Sequence, residues 1–290
     1  MPKNRPTVPY HDTAENMNIT TNYSRTRLLL ISLLATIWFA SCGRTDWQET
    51  ATIDVQEHTP IGLVLLEEAL WISDGDNNQL VKLTQQGDVE AIVADLDRPM
   101  HLDTDGESLI VPEYGSDRIV KITGNSTQEL TIPDSLDAPA GVSVLGNEMV
   151  IADFYNHRVL YSDGKSWQSF GKKGSNEGEF NYPTDVQVTP DKIYVADAYN
   201  HRVQVFDKSG AHLQTIGQRQ QMNAATGIFV SDNELFVTDF ENNRVLIFDL
   251  AGNLLQTISD KLDKPTDIVA SGNRMWITNY GGRNVTVYKR

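Results

Sequence analysis

Short runs in which β-branched or aromatic residues alternate with polar ones recur along most of this chain, each ending in a cluster of Asp, Asn, Gly or Pro. Lys192-Ile193-Tyr194-Val195-Ala196 and Arg202-Val203-Gln204-Val205-Phe206 show the pattern, bounded by Pro190-Asp191 and by Asp207-Lys208-Ser209-Gly210. A period of two puts alternate side chains on opposite faces of a strand, and the turn residues stop each strand early. No window repeats its apolar residues at helical spacing, so the pattern predicts strands throughout. Around the best example four are expected: Thr184 to Val188, Ile193 to Ala196, Arg202 to Phe206 and His212 to Ile216.

The strands come in repeats. Ala152-Asp153-Phe154-Tyr155-Asn156-His157-Arg158-Val159 returns as Ala196-Asp197-Ala198-Tyr199-Asn200-His201-Arg202-Val203. With the acid as marker, copies fall at Asp74, Glu113, Asp153, Asp197, Asp239 and, with an amide substituted, Asn279, spaced by 39, 40, 44, 42 and 40 residues. That spacing suits four-stranded propeller blades of about 40 to 50 residues, and six copies predict an all-β, six-bladed β-propeller. The last copy stops at Arg290 with only three strands, Thr266 to Ala270, Arg274 to Thr278 and Asn284 to Lys289. The strand-like segment 50–56 has no blade of its own and is expected to pair beside Val285-Thr286-Val287-Tyr288, closing the ring and covering its open edge.

The unit Pro183-Thr184-Asp185-Val186-Gln187-Val188, followed by Ile193 to Asp207 with Asn200-His201-Arg202-Val203 at its centre, resembles the NHL repeat. The resemblance covers about residues 49–290 and is best in the third, fourth and fifth copies. It implies a six-bladed propeller of NHL repeats and says little about chemistry, because such rings host binding modules as well as a few enzymes. The residues of the repeated turn read as framework. Asp74, Glu113, Asp153, Asp197, Asp239 and Asn279 end a strand, where the side chain can accept hydrogen bonds from the following turn. Arg118, Arg158, Arg202 and Arg244 begin the next strand within reach of that acid, and His157 and His201 are poor catalytic candidates for the same reason.

Ahead of the repeats, Leu28 to Ala40 is a 13-residue apolar run that follows Arg25 and Arg27 and ends in small residues. It is short for a bilayer span and reads as a secretory signal. Phe39-Ala40-Ser41-Cys42 resembles the bacterial lipobox, with Phe39 departing from the usual aliphatic residue, and Cys42 is the one cysteine of the chain. A lone cysteine in an exported protein has no internal disulfide partner, so lipidation at Cys42 accounts for it. The expected layout is an extension and n-region over 1–24, with Met17 as an alternative start, a signal peptide over 25–41, a tether over 43–48 and the propeller over 49–290. The expected location is the bacterial cell envelope, periplasmic or at the outer membrane or cell surface, with the acyl chain as membrane anchor.

Loss of residues 1–41 removes four basic and two acidic residues from totals of 24 and 39, taking the net charge from −15 to −17. Such a domain lacks the basic footprint of nucleic-acid binding. No nucleophile elbow or phosphate-binding glycine loop occurs, and the sequence calls for no cofactor except, as one candidate, a metal in the central channel. In propeller topology the turns entering the innermost strands share a face with those between second and third strands. The third residue of the inner turn reads Gly62, His101, Gly141, Asp185, Gly227, Asp267 around the ring, so His101, Asp185 and Asp267 form a candidate channel or metal triad. Tyr114, Tyr155, Tyr199, Phe240 and Tyr280 follow the repeated acid and are candidate binding-face aromatics, with packing between blades as the plainer role. The first functional reading is a binding or scaffolding module for a protein, peptide or glycan. The alternative is a metal-dependent hydrolase of the gluconolactonase and strictosidine-synthase-like propeller class.

Overall fold

The computed structural model describes residues 45–290 except Gln56 and Gln85, so the expectations on the signal segment, Met17 and Cys42 lie outside the described residues. Six four-stranded antiparallel sheets make up the fold, five of them running in sequence order from an innermost strand to an outermost one and the sixth taking its outermost strand from the N-terminal side. In the fourth blade the strands are Pro183–Val188, Lys192–Asp197, Arg202–Asp207 and His212–Ile216, within one residue of the alternation read from the sequence. The helical content among the described residues is three single-turn 3-10 segments, all in the turn between second and third strands.

The sixth blade confirms the closure. Its own strands are Pro265–Ser271, Arg274–Asn279 and Asn284–Lys289, and the N-terminal strand Gln48–Asp54 pairs outside the last of them, with Ala51 opposite Val287 and Ile53 opposite Val285. The strand lies two residues earlier than 50–56. Its start is set by Trp47, a buried residue whose backbone N–H and C=O both bond the amide side chain of Gln256 in the fifth blade, at 3.0 and 2.9 Å. Its end is set by Val55, whose N–H donates instead to the Arg283 carbonyl in the turn beyond.

The apolar faces of neighbouring sheets meet to form the core. Between blades four and five Tyr194, Val205, Leu235, Val237 and Phe248 pack together, and similar clusters fill the other junctions. Full burial of side chains of this size stabilises by roughly 1.5–3 kcal/mol each, so the inter-blade seams hold the ring.

A β-bulge marks the start of five of the six inner strands, between Pro60 and Leu63, Pro139 and Gly141, Pro183 and Asp185, Ala225 and Ile228, and Pro265 and Asp267. The extra residue bends the strand and re-aims the side chain that follows. Blade two differs, its inner strand shrinking to Asp103–Thr104. Pro112 in the neighbouring strand supplies a carbonyl to the Met100 N–H at 3.2 Å but has no N–H of its own to return. The backbone of His101 turns instead to blade three, donating to Ala140 and accepting from Val142.

Candidate functional site

The repeated turn is built around buried carboxylates. Asp153 accepts from the Asp137 N–H at 2.8 Å on one oxygen, and from Asn156 and Arg158 at 2.9 and 2.7 Å on the other. Asp197 and Asp239 repeat the arrangement with Asn181, Asn200 and Arg202, and with Asn223, Asn242 and Arg244. Glu113 accepts from the Asp97 N–H and pairs with Arg118. The two ends of the ring dispense with the arginine. In blade one Gln79 and His58 reach Asp74, and in blade six, where Asn279 faces Asn284 and Thr286, the amide for acid exchange accompanies the loss of the cation.

The next position is a left-handed residue in every blade: Asn78, Asp117, His157, His201, Asn243 and Arg283 have φ between 47° and 57°. In the first five, the side-chain atom one bond beyond Cγ accepts the N–H of the residue entering the following blade. The pairs are Asn78 with Arg98, Asp117 with Ala138, His157 with Tyr182, His201 with Ala224 and Asn243 with Lys264, at 2.7–3.1 Å. The two histidines use Nδ1 as the others use Oδ1. Burial pushes the His157 imidazole below its usual range, with Lys173 reinforcing and Asp197 opposing.

At the axis the inner turns alternate. A Cβ on Gly62 would lie 2.5 Å from the Met100 carbonyl, one on Gly141 2.7 Å from Thr184 O, and one on Gly227 2.3 Å from Thr266 O. Glycine on odd blades therefore lets the side-chain-bearing turn of the next even blade close up. Those even blades supply His101, Asp185 and Asp267, all buried, with a potential ligand atom of each within 4.8 Å of the others. Asp185 accepts from Val186 and, across the seam, Ile228, both at 2.8 Å. Asp267 accepts from Ile268 at 2.8 Å and from Leu63 at 2.9 Å. Burial raises Asp185 well above the usual carboxylate range, against the pull of His101. Burial works to lower His101, but the charges of Asp267 and Asp185 outweigh it and raise the imidazole.

A third acid joins them. Asp103 accepts from Thr104 at 2.7 Å and from Val144 of blade three at 2.8 Å, and burial pushes it up to about 6. The sequence reading passed over it, although the equivalent inner-strand positions, Val64, Ser143, Gln187, Phe229 and Val269, are all uncharged. Asp103, Asp185 and Asp267 line an axial cavity of about 90 Å³.

On the face of the repeated turns the aromatics form two groups. Tyr114, Phe154, Tyr155, Tyr182 and Tyr199 touch in succession, with ring centroids 4.8–5.9 Å apart, whereas Phe240 and Tyr280 meet separately at 6.3 Å. Tyr155 and Tyr199 are 49% and 59% exposed, and the others are half-buried. Tyr182 was not singled out from the sequence. It occupies the left-handed residue before the inner strand, a place held by Arg98, Ala138, Ala224 and Lys264 elsewhere. Beside Tyr114 and Tyr155 a groove of about 600 Å³ carries Asp76, Asp97, Asp117 and Asp137 on its walls. Arg98 lies 5.1 Å over the Tyr114 ring, and the Tyr280 hydroxyl donates to Asp76 at the groove's far side.

A family model described as a 6-bladed beta-propeller matches residues 173–277, which hold blades four and five and most of the first two strands of blade six. The chain is a six-bladed β-propeller. Among solved structures it is similar to a gluconolactonase from Xanthomonas campestris, with 17% identity over 82% of this chain and 88% of that one and a TM-score of 0.69. It is also similar to a streptogramin B lyase, with 16% identity, 83% and 82% coverage and a TM-score of 0.63. A chain of a nidogen/laminin complex gives 16% identity, 69% and 79% coverage and a TM-score of 0.60. A comparison with curated proteins finds no match. Identities this low carry the propeller fold and leave function to be argued from this chain's own site.

Proposed function

We propose that this protein is an exported, lipid-anchored propeller of NHL-type repeats that recognises a cationic peptide or protein segment on its aromatic face. The observation that carries the reading is the groove of about 600 Å³ with four aspartates on its walls, flanked by the contiguous rings of Tyr114, Phe154, Tyr155, Tyr182 and Tyr199. Its size suits a ligand-binding cleft, and its charge and rings together suit Lys and Arg, which pair with carboxylates and stack over aromatic faces. The net charge of −15 adds long-range attraction for such a partner. Export and anchoring rest on the apolar run Leu28 to Ala40 after Arg25 and Arg27, and on Cys42 at its end. The axial cavity of about 90 Å³ has room for an ion or a few waters rather than a sugar lactone, which weighs against the hydrolase alternative.

Arrays of Lys- and Arg-rich peptides and of glycans, probed with the wild-type protein and with Tyr155→Ala/Tyr199→Ala and Asp97→Asn/Asp137→Asn double variants, test the reading. Peptide binding that weakens with salt and falls by about 10-fold or more in each double variant is expected, since anchors of this kind cost about 1–2 kcal/mol or more when truncated. Salt-insensitive glycan binding with no peptide signal would overturn it. Membrane fractionation of Cys42→Ser checks the anchor, which predicts release into the soluble fraction.

A further inference from the structure

Three side chains from alternate blades present themselves at the propeller axis as ligands do around a metal. His101, Asp185 and Asp267 are buried, and one ligand atom from each lies within 4.8 Å of the others. His101 Nδ1 stands 3.3 Å from Asp267 Oδ2, close to the spacing of about 3.3–3.5 Å between neighbouring ligands of a tetrahedral ion with bonds of about 2.0–2.2 Å.

The alternative is a plain imidazole–carboxylate hydrogen bond, and the geometry opposes it. A bonded pair would direct the ring N–H at the carboxylate. Despite the short separation, His101 Nδ1 is without a hydrogen-bond partner, one of two buried side-chain nitrogen or oxygen atoms in that state among the described residues. His101 is only 4% exposed, so water does not supply the partner from bulk solvent. In the neutral ring with its proton on Nε2, Nδ1 has a lone pair to offer.

The carboxylates are prepared in the same sense. Each oxygen of Asp185 and Asp267 takes one backbone N–H, from Val186, Ile228, Ile268 and Leu63, and retains a second lone pair. Such donors fix ligand orientation as outer partners do around bound metals. Among the described residues no Lys or Arg lines the axial cavity, where Asp103 adds a further acid. Asp103, Asp185 and Asp267 outnumber the one imidazole beside them, and a bound cation would balance the acids that remain.

We propose that His101, Asp185 and Asp267 bind a divalent first-row transition metal ion of the zinc type, clasping blades two, four and six at the axis. One imidazole and two carboxylates suit such an ion better than calcium, which takes six to eight oxygens.

The test uses the full-length chain, untagged, purified in mild detergent, stripped with a chelator and titrated with zinc chloride by calorimetry. Metal content after gel filtration is read by mass spectrometry. One ion per chain is expected, together with a higher Tm for the loaded protein. Asp267→Asn and His101→Gln, shown to be folded by circular dichroism, should each weaken affinity at least 10-fold, and Asp185→Asn gives a third independent reading. Cys42→Ser, which removes the one thiol, should bind as the wild type does. Absence of stoichiometric zinc in the wild-type protein, or undiminished affinity in the folded variants, overturns the proposal.

Discussion

Asn78, Asp117, His157, His201 and Asn243 occupy one kind of seat, a left-handed turn residue whose side chain accepts the N–H of the next blade. Aspartate and asparagine tolerate that backbone well, and histidine reproduces their acceptor with Nδ1. The histidines are therefore legible in the sequence as part of a repeat, while their task is not, because spacing shows an ionisable ring and conceals which nitrogen works. Protonation at Nδ1 would set a donor against the Tyr182 N–H. Because burial lowers the folded-state pKa of His157, its contribution to stability is complete above about pH 6.5, the unfolded value, and is lost as pH falls through the folded value. His157→Asn should keep the hydrogen bond and flatten that segment of the stability profile. Urea unfolding of both proteins between pH 7.5 and about pH 5 measures the difference, and a wild-type profile already flat there would count against the assignment.

Among elements, the inner turns were legible in type but not in purpose. The order Gly62, His101, Gly141, Asp185, Gly227, Asp267 is visible in the chain, and it suggested a search for chemistry among the residues with side chains. What it could not show is that the glycines make room for them. A methyl group on Gly227 would meet Thr266 O at 2.3 Å and Asp267 Cα at 2.8 Å, both backbone atoms that cannot swing away. Gly227→Ala is expected to cost about 1–3 kcal/mol through overpacking, read as a lower denaturation midpoint, whereas Gly178→Ala meets no atom within 4 Å and strains only its own φ of 77°. The short inner strand of blade two has a different origin. Pro112 in Leu109–Glu113 removes one ladder donor, a tertiary consequence that alternation alone does not disclose, and Asp103 escaped notice with it.

For the molecule as a whole, the missing fourth strand of the last blade pointed to its replacement, and the N-terminal segment was the one unassigned candidate. Its register and its Trp47 anchor depend on contacts about 200 residues away in sequence, with Gln256 at the fifth blade, and so lay beyond local pattern. Deletion of residues 45–54 strips the outer edge from Asn284–Lys289 and removes Trp47 from Phe236, 6.1 Å away between ring centroids. The expected outcome is loss of a single cooperative melt and a gain in association through the bared edge, checked by calorimetry and light scattering. Unchanged melting would show that the ring is held by its inter-blade seams alone. The alternation at the axis also restricts blade number. Glycine turns and side-chain turns can take turns around a closed circle only if the count is even: an odd ring would bring two glycines or two bulky turns side by side, leaving a gap or a clash. Around its axis the molecule thus behaves as three pairs of blades, and anything seated at the centre meets threefold surroundings inside a sixfold frame.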